Sequence, residues 1–142
     1  MGDYYFGNLR DWWQVMEKLD HLKAKKKLGQ HQEDLIGILR YKDNWRLRET
    51  VLEYIKDIES PSDDLIDQVL QILLDDSVYY ELRVLAASAL GVLATRIKKT
   101  SEKQRRITIG EIAEKAKGLL QQPQAPILHD AVRSTLSQIG HQ

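Results

Sequence analysis

One hydrophobic pattern recurs three times along the chain and restricts the folds that it can adopt. In each copy, a leucine that closes an apolar helical pattern is followed eight residues later by a second leucine. From that second leucine, apolar residues recur at offsets of 4, 8 and 11, which places them on one face of an α-helix. Each copy therefore predicts a helix, a short turn and a second helix. The leucine pairs are Leu39 and Leu47, Leu74 and Leu82, and Leu120 and Leu128.

The copies are unevenly spaced. The first two lie 35 residues apart and the last two lie 46 apart, so eleven residues are inserted between the second and the third. The insert falls in the polar, basic stretch RIKKTSEKQRRI, residues 96–107. We expect this stretch to form a loop or to lengthen the first helix of the third copy.

Two start signals compete for that helix. Thr100 or Ser101 could cap a long helix, whereas Thr108 with Glu111 fits a capping box that would start a short one. We favour the long helix because residues 102–107 contain neither Gly nor Pro.

The length and the pattern together predict one all-α domain. Ser60, before Pro61, is expected to cap the second unit, and Gly29 to end an N-terminal helix. The expected parts of the domain 1–142 are an aromatic-rich helix (1–29), unit one (31–59), unit two (60–95), the basic insert or helix extension (96–107) and unit three (108–142).

The second helix of the middle unit carries small residues where a core helix usually carries large ones. Ala86, Ala87 and Ala89 lie among leucines and valines. A helix with a neighbour on each flank must be apolar nearly all round, and crowded helices approach closely only where their side chains are small. The alanines therefore predict that this helix is packed between two others. The last unit has a polar outer face, and we expect the array to end there.

The repeated units resemble a known family. Residues 73–94, LLDDSVYYELRVLAASALGVLA, are similar to a HEAT repeat, with an apolar helix ending in Leu-Leu-Asp-Asp, a turn, an Arg, and then Ala-Ala-x-Ala-Leu-Gly. Residues 38–58 and 119–140 match more loosely, and the resemblance covers about residues 31–142. It implies a short right-handed, armadillo-like α-solenoid of three helix pairs preceded by one amphipathic helix.

The resemblance also implies that Arg48 and Arg83 pair with aspartates of the adjacent turns, Asp43 and Asp75 or Asp76. The third unit has His129 at that position. A structural role is favoured over ligand binding because the arginine recurs with the repeat.

The sequence lacks the residues that many catalytic and metal sites need. It has no Cys, so a disulfide framework, a thiolate metal site and a Cys nucleophile are excluded. No two of the four His stand four residues apart on one helix, and no phosphate-binding glycine loop or nucleophile elbow is present. We therefore predict no enzyme activity, no catalytic residue, no metal and no cofactor.

The predicted function is a protein–protein interaction module or scaffold. Placed side by side, the second helices of the units would form a shallow concave face that is acidic to neutral. A basic or mixed segment of another protein is the expected partner. The candidate residues of this face are Glu49, Glu53, Val84, Ser88, Asp130 and Ser134.

Nucleic-acid association is the alternative. Lys and Arg cluster in residues 23–27 and 96–106, although the formal net charge of the chain is zero. Phosphate contacts would use such clusters, but no aromatic residue interleaves with the second one to stack on bases. The candidate nucleic-acid-binding residues are Lys98, Lys99, Arg105 and Arg106.

The aromatic N-terminus allows two interpretations. It could be a hydrophobic lid on the first unit, which we favour, or an interface that supports a weak oligomer of an otherwise monomeric chain. Neither a secretory signal nor an apolar run of membrane-spanning length is present, so we expect a cytoplasmic protein without a membrane partner. The residues concerned are Tyr4, Tyr5, Phe6, Trp12 and Trp13.

Overall fold

The computed structural model describes residues 5–98 and 105–140, apart from the side chain of Lys98. These residues form seven α-helices and two short 3-10 turns, at Leu28–His31 and Ile55–Asp57, and contain no strand. The prediction of an all-α chain is confirmed. The helices are α1 (Trp12–Ala24), α2 (Gln32–Arg40), α3 (Trp45–Tyr54), α4 (Asp63–Leu74), α5 (Tyr80–Lys98), α6 (Ile109–Leu120) and α7 (Pro126–Gln138).

The helices pack as consecutive pairs. Helix α2 packs on α3, α4 on α5, and α6 on α7. In addition, α4 contacts both α2 and α6, while α5 contacts both α3 and α7. Helix α1 packs against α3. The first helices of the pairs are therefore neighbours of one another, and so are the second helices, with α1 beside α3.

Helix α5 occupies the crowded position that its alanines predict. Ala86, Ala87 and Ala89 are completely buried. The hydroxyl of Thr135 on α7 donates a hydrogen bond to the backbone carbonyl of Ala87, with 2.7 Å between the oxygens. A Cβ added at Gly91 would collide with the side-chain amide of Gln138. Small residues thus lie where α7 comes closest to α5.

The three pairs share one side-chain-to-backbone contact at the turn between their helices. The Arg48 Nε donates to the Leu39 carbonyl at 2.9 Å, and the Arg83 Nε donates to the Leu73 carbonyl at 2.9 Å. In the third pair, His129 Nε2 lies 3.0 Å from the Leu119 carbonyl oxygen. Each side chain lies at a carbonyl near the end of the preceding helix, where intrahelical donors run out. The Leu119 carbonyl also accepts from the Gln122 amide.

The expected aspartate pairing is present for one arginine. Arg83 is 1% exposed, and its Nη2 lies 3.4 Å from an Asp76 carboxylate oxygen, so it is not a solvated surface residue. Arg48 has no ion pair with Asp43 in the described part of the chain; the attraction of Asp75, in the turn of the next pair, acts on it instead. Burial nevertheless lowers the pKa of Arg48 from its usual value.

Two predictions about the insert are wrong. Helix α6 begins at Ile109 with Thr108 as its cap, whose hydroxyl accepts a hydrogen bond from the Glu111 amide at 3.1 Å, so the short helix forms instead of the long one. Thr100 and Ser101 lie outside the described residues. Residues 105–108 are not helical, as the loop alternative predicts. Residues 96–98 instead belong to α5, the second helix of its pair, and Arg96 donates to the carbonyls of Lys56 and Ile58.

Two caps also differ from their predicted positions. Ser62, not Ser60, caps α4, and its hydroxyl accepts from the Leu65 amide at 3.1 Å. Helix α1 ends at Ala24, well before Gly29. The chain reverses at Lys26, which has a positive φ of 57°, because the amides of Lys26 and Lys27 bond back to carbonyls of the last helical turn.

Candidate functional site

The six residues of the predicted protein-binding face lie on three adjacent helices. Glu49 and Glu53 belong to α3, Val84 and Ser88 to α5, and Asp130 and Ser134 to α7. Each pair is spaced by four residues and therefore lies on one stripe of its helix. Glu49 and Val84 are half-buried, and the other four are exposed.

The acidic side chains of this face have weak partners. Glu49 accepts a hydrogen bond from the Tyr79 hydroxyl at 3.1 Å, Glu53 lies 3.4 Å from Lys56, and Asp130 lies 3.4 Å from Arg133. Exposed ion pairs at such distances contribute little stability and are easily exchanged for a partner's charges. Burial and the adjacent Glu49 carboxylate raise the pKa of Tyr79 to about 12.

Large exposed apolar side chains lie at the beginnings of four helices. We call this set the aromatic edge. Trp12 and Trp13 open α1, Trp45 opens α3, Tyr79 and Tyr80 stand at the start of α5, and Ile127 is the second residue of α7. Within the described ranges, no other large apolar side chain is exposed to this extent.

These helix beginnings lie on the same side of the molecule because the four helices run parallel. Near the ends of α1 and α3, Tyr54 donates to Asp20 at 2.5 Å and Lys23 pairs with Asp57 at 2.8 Å. Arg96, near the end of α5, bonds to carbonyls that follow α3. At the opposite side, Tyr80 donates to Gln124, just before α7, at 3.2 Å. The members of the aromatic edge therefore lie on one side of this row of helices.

The sequence analysis did not predict Trp45, Tyr79, Tyr80 or Ile127, although the residue spacing indicates two of them. Trp45 stands four residues before Glu49, and Tyr80 stands four residues before Val84. Each therefore extends the stripe of the predicted face by one turn towards the start of its helix.

The N-terminal lid consists of fewer aromatic residues than predicted. Phe6 is buried, and Tyr5 packs on both Phe6 and His31, with ring centroids 5.1 and 4.3 Å apart. By contrast, Trp12 is 36% exposed and Trp13 is 66% exposed, because Val15, Leu19 and Leu22 supply the buried stripe of α1. Tyr4 lies outside the described residues. The lid interpretation therefore fits Tyr5 and Phe6, which pack against the core, and does not fit the two exposed tryptophans.

Two of the candidate nucleic-acid-binding residues, Arg105 and Arg106, form ion pairs within the chain. Arg105 pairs with Asp63 at 3.2 Å and its side chain is only 13% exposed, while Arg106 pairs with Asp64 at 2.7 Å. Both aspartates lie in the first turn of α4. The side chain of Lys98 and all of Lys99 lie outside the described residues. Arg105 is therefore used by the fold and is not a free cation for phosphate.

Metal-binding groups and membrane-spanning helices were sought in the described ranges as well. The described ranges contain no group of three or more His, Asp or Glu side chains that could hold a metal ion. None of the helices in these ranges is long and apolar enough to cross a membrane. No protein-family model, curated protein or solved structure matches the chain.

Proposed function

We propose that this chain is a short α-solenoid of the HEAT type that acts as a non-enzymatic protein-interaction module. The partner binds across α3, α5 and α7 and is anchored at the aromatic edge. One observation carries the proposal: the large exposed apolar side chains of the described chain all lie at the beginnings of α3, α5, α7 and the neighbouring α1. Trp and Tyr are the commonest anchors of protein interfaces, where they bury large areas at low entropic cost.

Two further observations support the solenoid. Arg48, Arg83 and His129 occupy equivalent positions and close the preceding helix in the same way. The first helices of the pairs contact one another in order, as do the second helices. Stacked helix pairs of this kind offer an extended surface to partners.

The charge of the face indicates the chemistry of the partner. Glu53 and Asp130 are exposed, Glu49 is half-buried, and the cations beside them, Lys56 and Arg133, lie 3.4 Å from carboxylates. A partner segment with Lys or Arg facing these carboxylates, and with apolar residues over Trp45 and Tyr80, would complement the surface.

Affinity capture with the tagged protein from the native host, followed by mass spectrometry, identifies candidate partners. Binding of each purified candidate is then measured by calorimetry. The double variant Trp45→Ser, Tyr80→Ser should weaken binding about 30-fold or more, the loss typical of hot-spot residues. Glu49→Lys with Glu53→Lys should also lose the partner.

The control is Glu114→Ser with Lys115→Ser, a pair of exposed residues on α6. This variant should bind like the wild type. A partner that binds the aromatic-edge double variant and the charge-reversal double variant with undiminished affinity would exclude this face as its site.

Nucleic-acid association is a second candidate because the two basic stretches meet in one place. A cleft of about 830 Å³ is lined by Lys23 and Lys26 from the first stretch, Arg96 from the second, and Lys56. Asp57, which pairs with Lys23, and Glu59 also line it, so the cleft has more cations than carboxylates. Phosphate binding there predicts affinity for generic duplex DNA that falls with salt, with a slope of about 0.9 per neutralised phosphate. Sub-micromolar, salt-sensitive binding that is lost in Lys26→Gln with Lys56→Gln would favour this function over the first.

A further inference from the structure

A groove of about 460 Å³ lies between the segment that precedes α1 and α2, and α2 belongs to the other helix layer from the proposed binding face. Phe6 and Leu9 form one wall, and Tyr41 and the backbone of Gly37 belong to the other. The polar lining residues are Asn8, Arg10, Glu33 and Asp34. Apolar walls with a few polar groups are typical of binding grooves.

Gly37 lies at the bottom of the groove and has no side chain to fill it. It lies in the middle of α2, where glycine is among the least favourable residues. A Cβ added there would meet nothing within 4 Å, so neither close packing nor a turn requires the glycine. Glu33, Gly37 and Tyr41 are spaced by four residues and form one stripe about 12 Å long. The missing side chain keeps the middle of this stripe open.

The two ends of the groove carry opposite charges. Glu33 and Asp34 stand at the beginning of α2, where Tyr5 packs on His31. Arg10 stands just before the start of α1, which lies on the same side of the molecule as the start of α3. Tyr41 lies in the turn before α3, so Arg10 lies nearer Tyr41 than Glu33. The carboxylate of Glu33 and the guanidinium of Arg10 have no hydrogen-bonding or ionic partner in the part of the chain that the structure describes.

We infer that this groove binds an extended segment of a partner protein in which a basic and an acidic residue flank an apolar one. The basic side chain lies against Glu33, next to Asp34, whose carboxylate is 3.7 Å from His31 Nδ1. The apolar side chain fills the space above Gly37, and the acidic side chain faces Arg10. An extended chain rises about 3.3 Å per residue, so the two charged residues stand about four positions apart. This inference does not depend on the face of α3, α5 and α7.

The probe is the blocked peptide Lys-Ala-Leu-Ala-Glu, titrated into the isotope-labelled full chain and followed by amide chemical shifts. We expect saturable shifts confined to residues 6–10 and 33–41, with a Kd of about 1 mM. Replacing the peptide leucine by serine, or its lysine by glutamate, should weaken binding at least about fivefold.

Gly37→Leu should abolish these shifts because the leucine fills the floor of the groove. Gly118→Leu is the matched control, since Gly118 also lies inside a helix with open space at its Cβ position, but on α6. Absence of saturable shifts at about 10 mM peptide would overturn the inference. Equal binding by Gly37→Leu, or by the peptide without leucine, would overturn it as well.

Discussion

The hydroxyl of Thr135 donates a 2.7 Å hydrogen bond to the carbonyl of Ala87 and thereby joins α7 to the centre of α5. Both residues are buried. A side chain larger than alanine at position 87 would separate the two helices, since the distance between packed helices depends on the residues at their contact. The close contact between α5 and α7 therefore requires the small residues of α5.

Enlarging the alanines should destabilise the protein although it adds apolar surface. Ala86→Leu and Ala87→Leu should each lower the free energy of unfolding by about 1–3 kcal/mol through overpacking. Urea denaturation followed by circular dichroism measures the change. Ser88→Leu is the control, because Ser88 is exposed on the same helix and should change stability by less than about 0.5 kcal/mol. Unchanged midpoints for both alanine variants would show that α5 is not crowded.

Removing the Arg83 guanidinium should cost more than removing an exposed one. Arg83→Met takes away the donors to Leu73, Asp76 and Gln124, and leaves the buried Leu73 carbonyl without its side-chain donor. We expect a loss of about 2 kcal/mol in the free energy of unfolding. Arg133→Met, in which an exposed i,i+3 pair is lost, should cost less than about 0.5 kcal/mol. Equal losses would contradict a structural role for Arg83.

Lys26→Gly should stabilise the fold. Lys26 adopts a φ of 57° at the end of α1, a conformation that strains a residue with a Cβ but not glycine. The substitution should raise the free energy of unfolding by about 1 kcal/mol. Lys25→Gly is the control, since Lys25 has a right-handed backbone conformation and its replacement relieves no strain. A loss of stability in Lys26→Gly would mean that the lysine side chain makes a stabilising contact.

Stability should decline between pH 10 and 12. The hydrogen bond to Asp20 raises the pKa of Tyr54 to about 12, and burial raises that of Tyr79 to about 12. An unfolded tyrosine titrates near 10, so between these values the folded state binds more protons than the unfolded state. The stabilisation is complete below about pH 10 and is lost as the pH rises towards 12. Tyr54→Phe with Tyr79→Phe should flatten the decline, which urea midpoints at several pH values would measure.

The sequence pattern was sufficient to predict the helix pairs but not which side chains are exposed or ion-paired at the surface. The leucine frame and the alanines of α5 predicted which helices form and which one is crowded, because burial imposes a helical period. On α1, however, the helical period is compatible with burial of either a tryptophan or Val15 against the protein core. The structure buries Val15. Asp63 is 42 residues from Arg105, so no local pattern could distinguish a paired arginine from a solvated one.

The pair of Arg105 and Asp63 should show a measurable coupling energy. Their charged groups lie 3.2 Å apart, and both side chains are largely shielded from solvent, at 13% and 21% exposure. A double-mutant cycle with Arg105→Gln and Asp63→Asn should give about 1 kcal/mol of coupling in the free energy of unfolding. The neighbouring pair of Arg106 and Asp64, at 61% and 72% exposure, should give less than about 0.5 kcal/mol in the same cycle. If Arg105 instead serves only to bind phosphate, Arg105→Gln should leave the urea midpoint unchanged while reducing the affinity for duplex DNA.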